Sequence, residues 1–433
     1  MISNEGISNK PVVALSNWAG NITYGTAVLH NPADTEELAT LVQKAERVKV
    51  LGSRHCFNHI ADSADQLISL QRLNRLLSFD AQGLTVTIEG GMNYGQLCPV
   101  LQQQGVALHN LASLPHISVA GACATATHGS GINNGNLATA VLEMELLTAD
   151  GTTLTLHREK DGQLFNALLV NLGAIGIVTR LTLQVEPSYT MQQNVFERLH
   201  LRNLTENFDA IAGAGYSVSL FTDWQSDYIN EVWIKSRLET GKNIDFAAGF
   251  FGAVPATRQL HPIAHMPAEN CTEQLGEPGH WFERLPHFKM GFTPSSGVEL
   301  QTEYFVPRHH AVAAIEAVAR LGKQIGQWLL VSEIRTIAAD EAWMSPCYRQ
   351  ASVALHFTWQ QNWKEVQKLL PLIEEALAPF NAKPHWGKLF TMPPATVAAR
   401  YEKLTEFAAL VKDYDRKGKF RNQFLDTYLF NAG

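Results

Sequence analysis

The feature that most limits how this chain can fold is a run of small residues at positions 113–131, which reads SLPHISVAGACATATHGSG. The run has neither the 3.6-residue period of a helix nor the strict alternation of a strand. Backbone that carries only small side chains can wrap closely around an anionic group, and the interleaved hydroxyls add hydrogen-bond donors. We therefore favour a pyrophosphate cradle here, although a tight structural crossover would use the same residue types.

A second loop, LGSRHCFN at positions 51–58, follows a predicted strand at 47–51 and has glycine near its start. Its His55 is a candidate nucleophile, because an imidazole reacts through one nitrogen when the other is held by a partner. From this segment alone, a buried structural histidine is the commoner explanation. The chain has no GxxxxGK[ST] loop and no strand-linked GxGxxG motif, which argues against P-loop and Rossmann nicotinamide sites.

The chain has 433 residues, which is too long for one core, so we expect two domains or three. The first part is dense in glycine and has the pattern of an α+β unit. After Pro187 aromatic residues and histidines become frequent, which indicates a second unit with a mixed sheet covered by helices. The predicted division is 1–190, 191–394 and 395–433, and the last segment is expected to form helices that pack back on the first unit.

Hydrophobic periodicity predicts the individual elements of both units. A capping box at Asp34–Glu37 predicts the start of the first helix. The other predicted elements are strands at 47–51, 84–88 and 175–185, a helix at 94–104, a hairpin at 141–156, later strands at 298–306, 328–337 and 353–359, and later helices at 310–322 and 363–377.

The charge balance and the cysteines exclude several kinds of partner. The 41 acidic and 34 basic residues leave a net charge of −7, which argues against nucleic acid or an anionic membrane. The longest apolar run, 246–254, is too short to cross a bilayer, and Met1–Lys10 has no signal-peptide core. Five scattered cysteines without a CxxC pair argue against disulfides or structural zinc and indicate a reducing cytoplasm.

His261 and His265 are four apart, but Pro262 interrupts any helix between them, so we expect solvated histidines and no metal site.

Polar residues interrupt the apolar strands of the second unit in a pattern that suggests a site. Side chains two positions apart share a face of a strand, so Glu333 lies with Arg335, and His356 lies with Thr358. Lys388, in the segment KPHWGK at 383–388, is a third polar position in an otherwise apolar context. Buried charges must pair or bind a polar ligand. We therefore weigh a structural salt bridge between Glu333 and Arg335 evenly against a substrate site.

Together these motifs resemble the vanillyl-alcohol-oxidase (PCMH) type of FAD flavoprotein, and within it the branch of aldonolactone oxidases and alditol oxidases. The 51–58 loop is similar to the flavin-attachment motif of the branch, and the 113–131 run is similar to its second FAD loop. KPHWGK at 383–388 is similar to the branch signature, and 173–177 and 418–422 extend the resemblance over nearly the whole chain. The resemblance implies a two-domain α+β fold, with an FAD-binding domain and a mixed-sheet substrate (cap) domain.

The resemblance also implies which residues hold the cofactor. His55 takes the role of the histidine that binds the flavin covalently, and no cysteine stands near Ser113 to form a second bond. The expected FAD contacts are Leu51, Gly52, Ser53, Arg54, His55, Cys56, Ser113, Ser118, Gly121, Thr125, Ala126, Thr127, His128 and Ile177. The covalent bond is expected to raise the redox potential of the flavin and to prevent its loss.

The triplet at 333–335 and the run at 355–359 look more like alditol oxidases than lactone oxidases. The resemblance then implies hydride transfer to the flavin from the terminal alcohol of a polyol such as xylitol or sorbitol, with O2 reduced to H2O2. The residues expected to bind the polyol are Ser113, Glu333, Arg335, His356, Thr358 and Lys388. The catalytic roles fall to Lys388 and Arg335, which would stabilise the alkoxide, and to Glu333, which would hold Arg335 in a bidentate pose.

One departure from the pattern concerns the electron acceptor. Ala112 occupies the position where the family controls the access of oxygen to the flavin, and alanine there can hinder oxygen.

An aldonolactone oxidase or dehydrogenase is the nearest alternative function, since it shares the fold, the FAD and the signature. A non-catalytic polyol-binding protein that has kept the fold is the other, and it would hold no flavin that a polyol reduces. We expect a monomer that has no nucleic-acid or membrane partner.

Overall fold

The computed structural model describes residues 14–238, 249–290 and 298–431. The segment Met1–Lys10 and the start of the apolar run 246–254 lie outside these residues. Within the described part of the chain, no helix combines the length and the apolar character needed to span a bilayer.

The strands of residues 14–190, the described part of the first unit, form three sheets. They are β1 (Leu29–His30), β2 (Val48–Leu51), β3 (Gln66–Ser69), β4 (Leu76–Asp80), β5 (Thr85–Glu89), β6 (Val106–Ala107), β7 (Val141–Thr148), β8 (Thr153–His157), β9 (Gly176–Gln184) and β10 (Glu186–Pro187). Strands β1-β3-β2 pair in parallel, β4-β5-β9-β7-β8 pair antiparallel, and β6 pairs with β10. The predicted strands of this unit and its hairpin are confirmed.

The helices of the first unit include both predicted ones. They are α1 (Thr35–Lys44), α2 (Tyr94–Gln103), α3 (Val119–Ala124) and α4 (Arg158–Leu169). The Asp34 side chain caps α1 as predicted, because it accepts a hydrogen bond from the Glu37 main-chain N–H (2.8 Å). The Glu37 carboxylate accepts from the N–H of Ala33 (2.7 Å), so the reciprocal bond of the box is displaced by one residue. Helix α3 lies within the run of small residues.

The second unit is built on one large sheet. Its strands are β11 (Thr190–His200), β12 (Ser217–Thr222), β13 (Tyr228–Arg237), β14 (Val254–Pro255), β15 (Gly279–His280), β16 (Glu299–Pro307), β17 (Leu329–Ile337), β18 (Ser352–Gln360) and β19 (Lys383–Pro384). Their order is β14-β11-β13-β12-β17-β18-β16-β19, and β15 pairs with β11. The three strands predicted after residue 298 are thus confirmed as β16, β17 and β18.

The sheet is not mixed as predicted, because every pairing among its described strands is antiparallel. Helices join β16 to β17, and these two strands run in the same direction. They do not pair, however, since β18 lies between them and is antiparallel to both. The sequence shows the helical connection but not the later strand that enters between the two.

Helices cover one face of this sheet and continue to the end of the described chain. They are α5 (Leu201–Glu206), α6 (Phe208–Ala212), α7 (Ala311–Ala319), α8 (Gly322–Ile325), α9 (Trp363–Leu377), α10 (Pro394–Arg400), α11 (Leu404–Tyr414) and α12 (Gln423–Leu425). The single helix predicted at 310–322 is divided into α7 and α8. Tyr304 of β16 donates to the Glu374 carboxylate of α9 (2.8 Å), which places α9 against the face of even-numbered residues in β16.

The segment after α11 contacts the first unit through polar groups. The N–H of Val48 donates to the carbonyl of Lys419 (2.9 Å), and the Lys419 ammonium donates to the carbonyl of Val42. The Asn422 amide lies 2.8–3.0 Å from the carbonyls of residues 59, 60 and 62. These contacts support the predicted packing of the described part of the last segment on the first unit, while the domain boundaries themselves stay a prediction.

We expect Asn422→Ala to lower the free energy of unfolding by about 1–3 kcal/mol, because the three carbonyls that it contacts lose their donor. Thermal and urea unfolding measure this loss. Gln423→Ala is the matched control, since Gln423 is the next residue and its side chain is exposed. Equal unfolding midpoints for the two variants would contradict this account of how the segment is held.

Candidate active site

A cavity of about 270 Å³ lies between loops of the first unit and the large sheet. Most of the residues predicted for the two sites line it together. They are Leu51, Gly52, Ser53, Arg54, His55, Cys56, Ser113, Ser118, Gly121, Thr125, Thr127, His128, Glu333, Arg335, His356, Thr358 and Lys388. The fold thus joins, in one cavity, the loops near the start of the chain and the polar strand residues far along it.

Two of the predicted cofactor contacts do not line the cavity. The side chain of Ile177 packs in a hydrophobic cluster with Leu147 and Phe420. Its neighbour Gly176 lines the cavity instead, since successive residues of a strand point in opposite directions. Ala126 is buried in the main core, and its φ of 54° belongs to a left-handed turn that directs the methyl group inward.

His261 also differs from its prediction as a solvated histidine. It is buried and lines the cavity. Its Nδ1 accepts a hydrogen bond from the N–H of Ile263 (3.0 Å), and its ring lies 5.6 Å from that of Phe288. Pro262 does prevent a helix here, but the resulting turn packs the ring under the loop rather than exposing it.

The polar side chains of the sheet form rows across neighbouring strands. Glu333 of β17 is paired with His356 of β18, which is paired in turn with Glu303 of β16. Thr358 and Gln301 are paired in the same way. Side chains that are directly opposite or two apart lie on one face. This face, opposite to the one that contacts α9, carries the acceptors and donors of the cavity.

Arg335 lies between two carboxylates at the centre of this face. Its Nη2 donates to Glu303 (2.6 Å), and its Nε is 3.4 Å from Glu333. The expected bidentate pose on Glu333 is therefore absent, and the shorter ion pair is with Glu303. Burial opposes ionisation, but the charges of His128, Arg335 and His356 hold the pKa of Glu303 well below its usual range. Burial lowers the pKa of Arg335, but the two carboxylates outweigh it and raise the pKa, so the guanidinium stays charged.

Lys388 approaches the same face from the segment after β19. Its ammonium donates to the Gln301 side chain and lies 4.9 Å from the centre of the Phe57 ring. The Asn58 side chain donates to the Lys388 carbonyl (2.7 Å), so the first loop fixes this segment. Burial lowers the pKa of Lys388, which makes its neutral amine more accessible than that of an exposed lysine.

Glu303 and Gln301 are site residues that the sequence motifs did not indicate. Both line the cavity, and they contact Arg335 and Lys388 directly. The signal was present in the sequence, because Glu299, Gln301 and Glu303 alternate with apolar or small residues along one strand. Residues two positions apart on a strand share a face, and this rule, which placed Glu333 with Arg335, also places Gln301 with Glu303.

His55 is held between two rings at the other side of the cavity. The Trp18 ring is 4.4 Å away between centroids, and the two Nε2 atoms of His55 and His116 are in contact. Burial, with the nearby charges of His116 and Lys388, holds the pKa of His55 well below its usual range. The imidazole is therefore neutral near pH 7 and keeps a lone pair, as a nucleophile requires.

The two loops meet in a way that leaves a backbone-lined wall. The N–H of Ser118 donates to the Ser53 hydroxyl (3.4 Å), and a Cβ added to Gly52 or Gly121 would overlap the Ser118 hydroxyl. Helix α3 begins here without a side-chain cap, and within the described chain Nδ1 of His116 is buried without a hydrogen-bond partner. Free donors and glycine surfaces of this kind fit the large anionic cofactor that the run predicts.

Comparisons with family models match two parts of the chain. Residues 26–157 match the model described as "FAD binding domain". Residues 296–428 match the model described as "D-arabinono-1,4-lactone oxidase". The first match covers both loops of the cavity, and the second covers the strands β16, β17 and β18 with Lys388.

Comparison with curated proteins finds relatives along nearly the whole chain. An alditol oxidase from Streptomyces sp. (strain IKD472 / FERM P-14339) is 46% identical over 95% of this chain and 98% of its own. An L-gulono-1,4-lactone dehydrogenase from Mycobacterium tuberculosis is 27% identical over 94% of this chain and 97% of its own. Among solved structures, the cholesterol oxidase of B. sterolicum matches 96% of both chains with a TM-score of 0.75 and 14% identity, which establishes the likeness of fold alone.

Proposed function

Because this chain belongs to the branch of FAD-dependent flavoproteins that contains alditol oxidases and aldonolactone oxidases, we propose that it oxidises the terminal alcohol of an alditol. The product is the aldose. The alcohol loses two electrons and two protons, and O2 takes them up as H2O2, so that the reaction balances without a further reactant. The 46% identity to an alditol oxidase favours this reaction over lactone oxidation.

The observation that carries the proposal is the sheet face inside the cavity. An open-chain polyol presents a hydroxyl at every carbon, each of which needs both a donor and an acceptor when it is buried. Arg335 and Lys388 supply charged donors, and Glu333 supplies an acceptor. Thr358 and Ser113 add neutral hydroxyls. A site built this way rejects substrates that lack hydroxyls, because its buried groups would then stay unpaired.

FAD, when it is bound, supplies the two-electron acceptor for this chemistry. We propose that the walls formed by 51–56 and 113–128 hold it, and that His55 forms its single covalent bond to the protein. The neutral imidazole between Trp18 and His116 supports this role. Glycines, hydroxyl side chains and the charged side chain of Arg54 from these walls also line the cavity.

During the oxidation, side chains in the cavity stabilise the negative charge that develops on the alcohol oxygen and accept the alcohol proton. The alcohol proton must leave as the carbon gives up its electrons, so negative charge develops on the oxygen. Arg335 stays charged and stabilises that oxygen. Lys388 takes the proton through its neutral amine, which burial makes accessible. Glu333 binds another hydroxyl of the same polyol. This contact fixes the position of the reacting carbon relative to the carbon that carries the bound hydroxyl.

The test is the visible spectrum of purified protein before and after anaerobic addition of xylitol, sorbitol and L-gulono-1,4-lactone. We expect loss of the flavin absorbance with the two alditols and formation of H2O2 when air is admitted. Reduction by the lactone alone would favour a lactone oxidase or dehydrogenase, which the match of residues 296–428 makes the second candidate. A flavin that stays oxidised with all three compounds would contradict both functions.

For the covalent bond, we expect His55→Ala to give protein whose flavin is released completely by acid precipitation, while native protein keeps a yellow pellet. The imidazole is the only group changed, so non-covalent FAD should still bind to the unchanged walls. His59→Ala is the matched control, since His59 is exposed and pairs with Asp62 (3.1 Å). Yellow acid pellets from His55→Ala would disprove the attachment site.

The electron acceptor and the cellular setting stay predictions within this proposal. Ala112 is buried and lines the cavity, which is consistent with a role at the entry of oxygen to the flavin. We propose that O2 remains the acceptor, as the name of the Streptomyces relative suggests. A monomer in the cytoplasm is the proposed setting.

A further inference from the structure

Lys235 is a buried lysine on the same face of the large sheet as Arg335 and Glu333, and the proposed mechanism leaves it unused. It lies on β13 and is 1% exposed. Its Nζ donates to the carbonyls of Leu285 (2.6 Å) and Pro286 (3.0 Å) and to Nδ1 of His287 (3.1 Å). An ammonium has three protons and no acceptor, so these three contacts use all of them. Burial lowers the pKa of Lys235 to about 7, and in the charged form the contact with His287 has one direction only, from lysine to imidazole.

The direction of that bond fixes the tautomer of His287. A neutral imidazole carries one proton, and a ring whose Nδ1 accepts must carry it on Nε2. Burial and the charge of Lys235 lower the pKa of His287 to about 4, so the ring is neutral near pH 7. Its Nε2 lies 2.8 Å from Oε1 of Glu333 and donates to it. The rings of Phe221 and Trp233, each 5.4 Å away, hold the imidazole in this orientation.

The chain of contacts ends on the carboxylate that faces the cavity. With Oε1 of Glu333 occupied by His287, Oε2 lies 3.4 Å from Nε of Arg335. This oxygen keeps capacity to accept a bond from a ligand hydroxyl. The main-chain N–H of His287 donates to the carbonyl of Ser113 (3.2 Å). One histidine therefore contacts a residue of the cofactor loop and a residue of the sheet face.

We propose that Lys235 and His287 are positioning residues that hold Glu333 as a hydrogen-bond acceptor for one hydroxyl of the polyol. The inference rests on the proposed function for the identity of the ligand. In the other tautomer, Nε2 of His287 would present a lone pair to the carboxylate, which would have to turn away or take up a proton. Glu333 would then lose its role as acceptor. Lys235 does not line the cavity, whereas His287 forms part of its wall, and both act on substrate recognition through Glu333.

Two variants test the positioning role through binding. We expect Lys235→Met to raise KM for xylitol roughly 10- to 100-fold, the worth of a hydrogen bond to a charged group, with kcat changed less than about threefold. His287→Leu should do the same. Lys419→Met is the matched control, because Lys419 is also buried and donates to main-chain carbonyls, but it does not line the cavity. Its KM should equal that of the native enzyme.

His287→Gln gives a rescue that a merely structural role would not produce. A glutamine amide can donate to Glu333 as Nε2 does, and it has no tautomer for Lys235 to set. We expect His287→Gln to keep KM within about threefold of native, and Lys235→Met to add no further rise in that background. Equal KM values for His287→Gln and His287→Leu would overturn the proposal, even if Lys235→Met alone does not fold.

The tautomer itself can be observed without activity. In holoenzyme labelled with ¹⁵N-histidine, we expect the His287 signals, identified by their loss in His287→Leu, to have the pattern of a ring protonated on Nε2. That pattern should change in Lys235→Met. Failure of native flavin to be reduced by alditols would contradict the proposed function, whereas an unchanged tautomer in Lys235→Met would contradict the inference alone.

Discussion

Lys388→Met is expected to slow the reduction of the bound flavin by xylitol roughly 10²- to 10⁴-fold, the range for losing a proton acceptor or a charge that stabilises the transition state. Methionine keeps the length of the side chain and its packing over the Phe57 ring but removes the amine. Stopped-flow mixing under anaerobic conditions measures the change, because it isolates the oxidation of the polyol from the later reaction with O2.

The pH profile separates the two roles of this lysine. Burial lowers the pKa of Lys388, and the neutral amine is the form that accepts a proton. The native rate of reduction should therefore rise with pH through this lowered pKa and then level off. The methionine variant should lack the rise. A native rate that falls over the same range would instead assign Lys388 a role as a cation only.

Lys383→Met is the matched control for this prediction. Lys383 is half-buried, lies 5.3 Å from the centre of the Tyr401 ring, and does not line the cavity. The same substitution there should leave the rate of reduction within about threefold of native. Equal losses in the two variants would indicate a general disturbance of this segment, and an unchanged rate in Lys388→Met would remove Lys388 from the reaction.

The local part of this structure was predictable because short-range physics determines it. The composition of the run at 113–131 predicted a pyrophosphate cradle, whereas the family resemblance assigned the 51–58 loop to the flavin, and both segments line the cavity. Alternation along single strands placed Glu333 with Arg335 and His356 with Thr358 on one face, which the pairing of β17 with β18 agrees with. Such patterns depend only on the geometry of one strand or one turn.

The partners of these residues were not predictable, since they depend on which strands pair and in what register. Arg335 was expected to bind Glu333, its neighbour two positions before, but its shorter contact is with Glu303 of β16. That contact exists because β18 enters between β16 and β17. The links from Lys235 to His287 and from His287 to Glu333 join residues that are distant in the sequence, and no local period connects them.

Glu303 makes the strongest prediction about stability. Its carboxylate is 2% exposed and lies within 3.5 Å of Arg335, His128 and His356. Removing this carboxylate takes from Arg335 its shorter ion pair and leaves it with Glu333 alone, 3.4 Å from its Nε. We expect Glu303→Gln to lower the free energy of unfolding by about 3–5 kcal/mol, measured by urea unfolding at neutral pH. Substrate binding should weaken as well, because Arg335 would no longer be held in position.

The pH dependence of this loss follows from the direction of the pKa shift. Despite burial, the neighbouring His128, Arg335 and His356 hold the pKa of Glu303 well below its usual range in the folded state. Its stabilisation is therefore complete above the unfolded pKa of about 4.3 and disappears as the pH falls toward the folded pKa. The difference between native protein and Glu303→Gln should be constant from pH 8 to about pH 5 and should shrink only below about pH 4.

Glu231→Gln is the control that separates charge from shape in this experiment. Glu231 lies on β13 and accepts a hydrogen bond from Trp233 (2.7 Å), which the oxygen of a glutamine can also accept. Burial raises the pKa of Glu231 to about 7, so the folded protein holds it partly neutral at neutral pH and gains little from its charge. The control should unfold within about 1 kcal/mol of native protein. If Glu303→Gln matched it, the charges around Arg335 would contribute no net stability, and the cavity would hold its two carboxylates for the substrate alone.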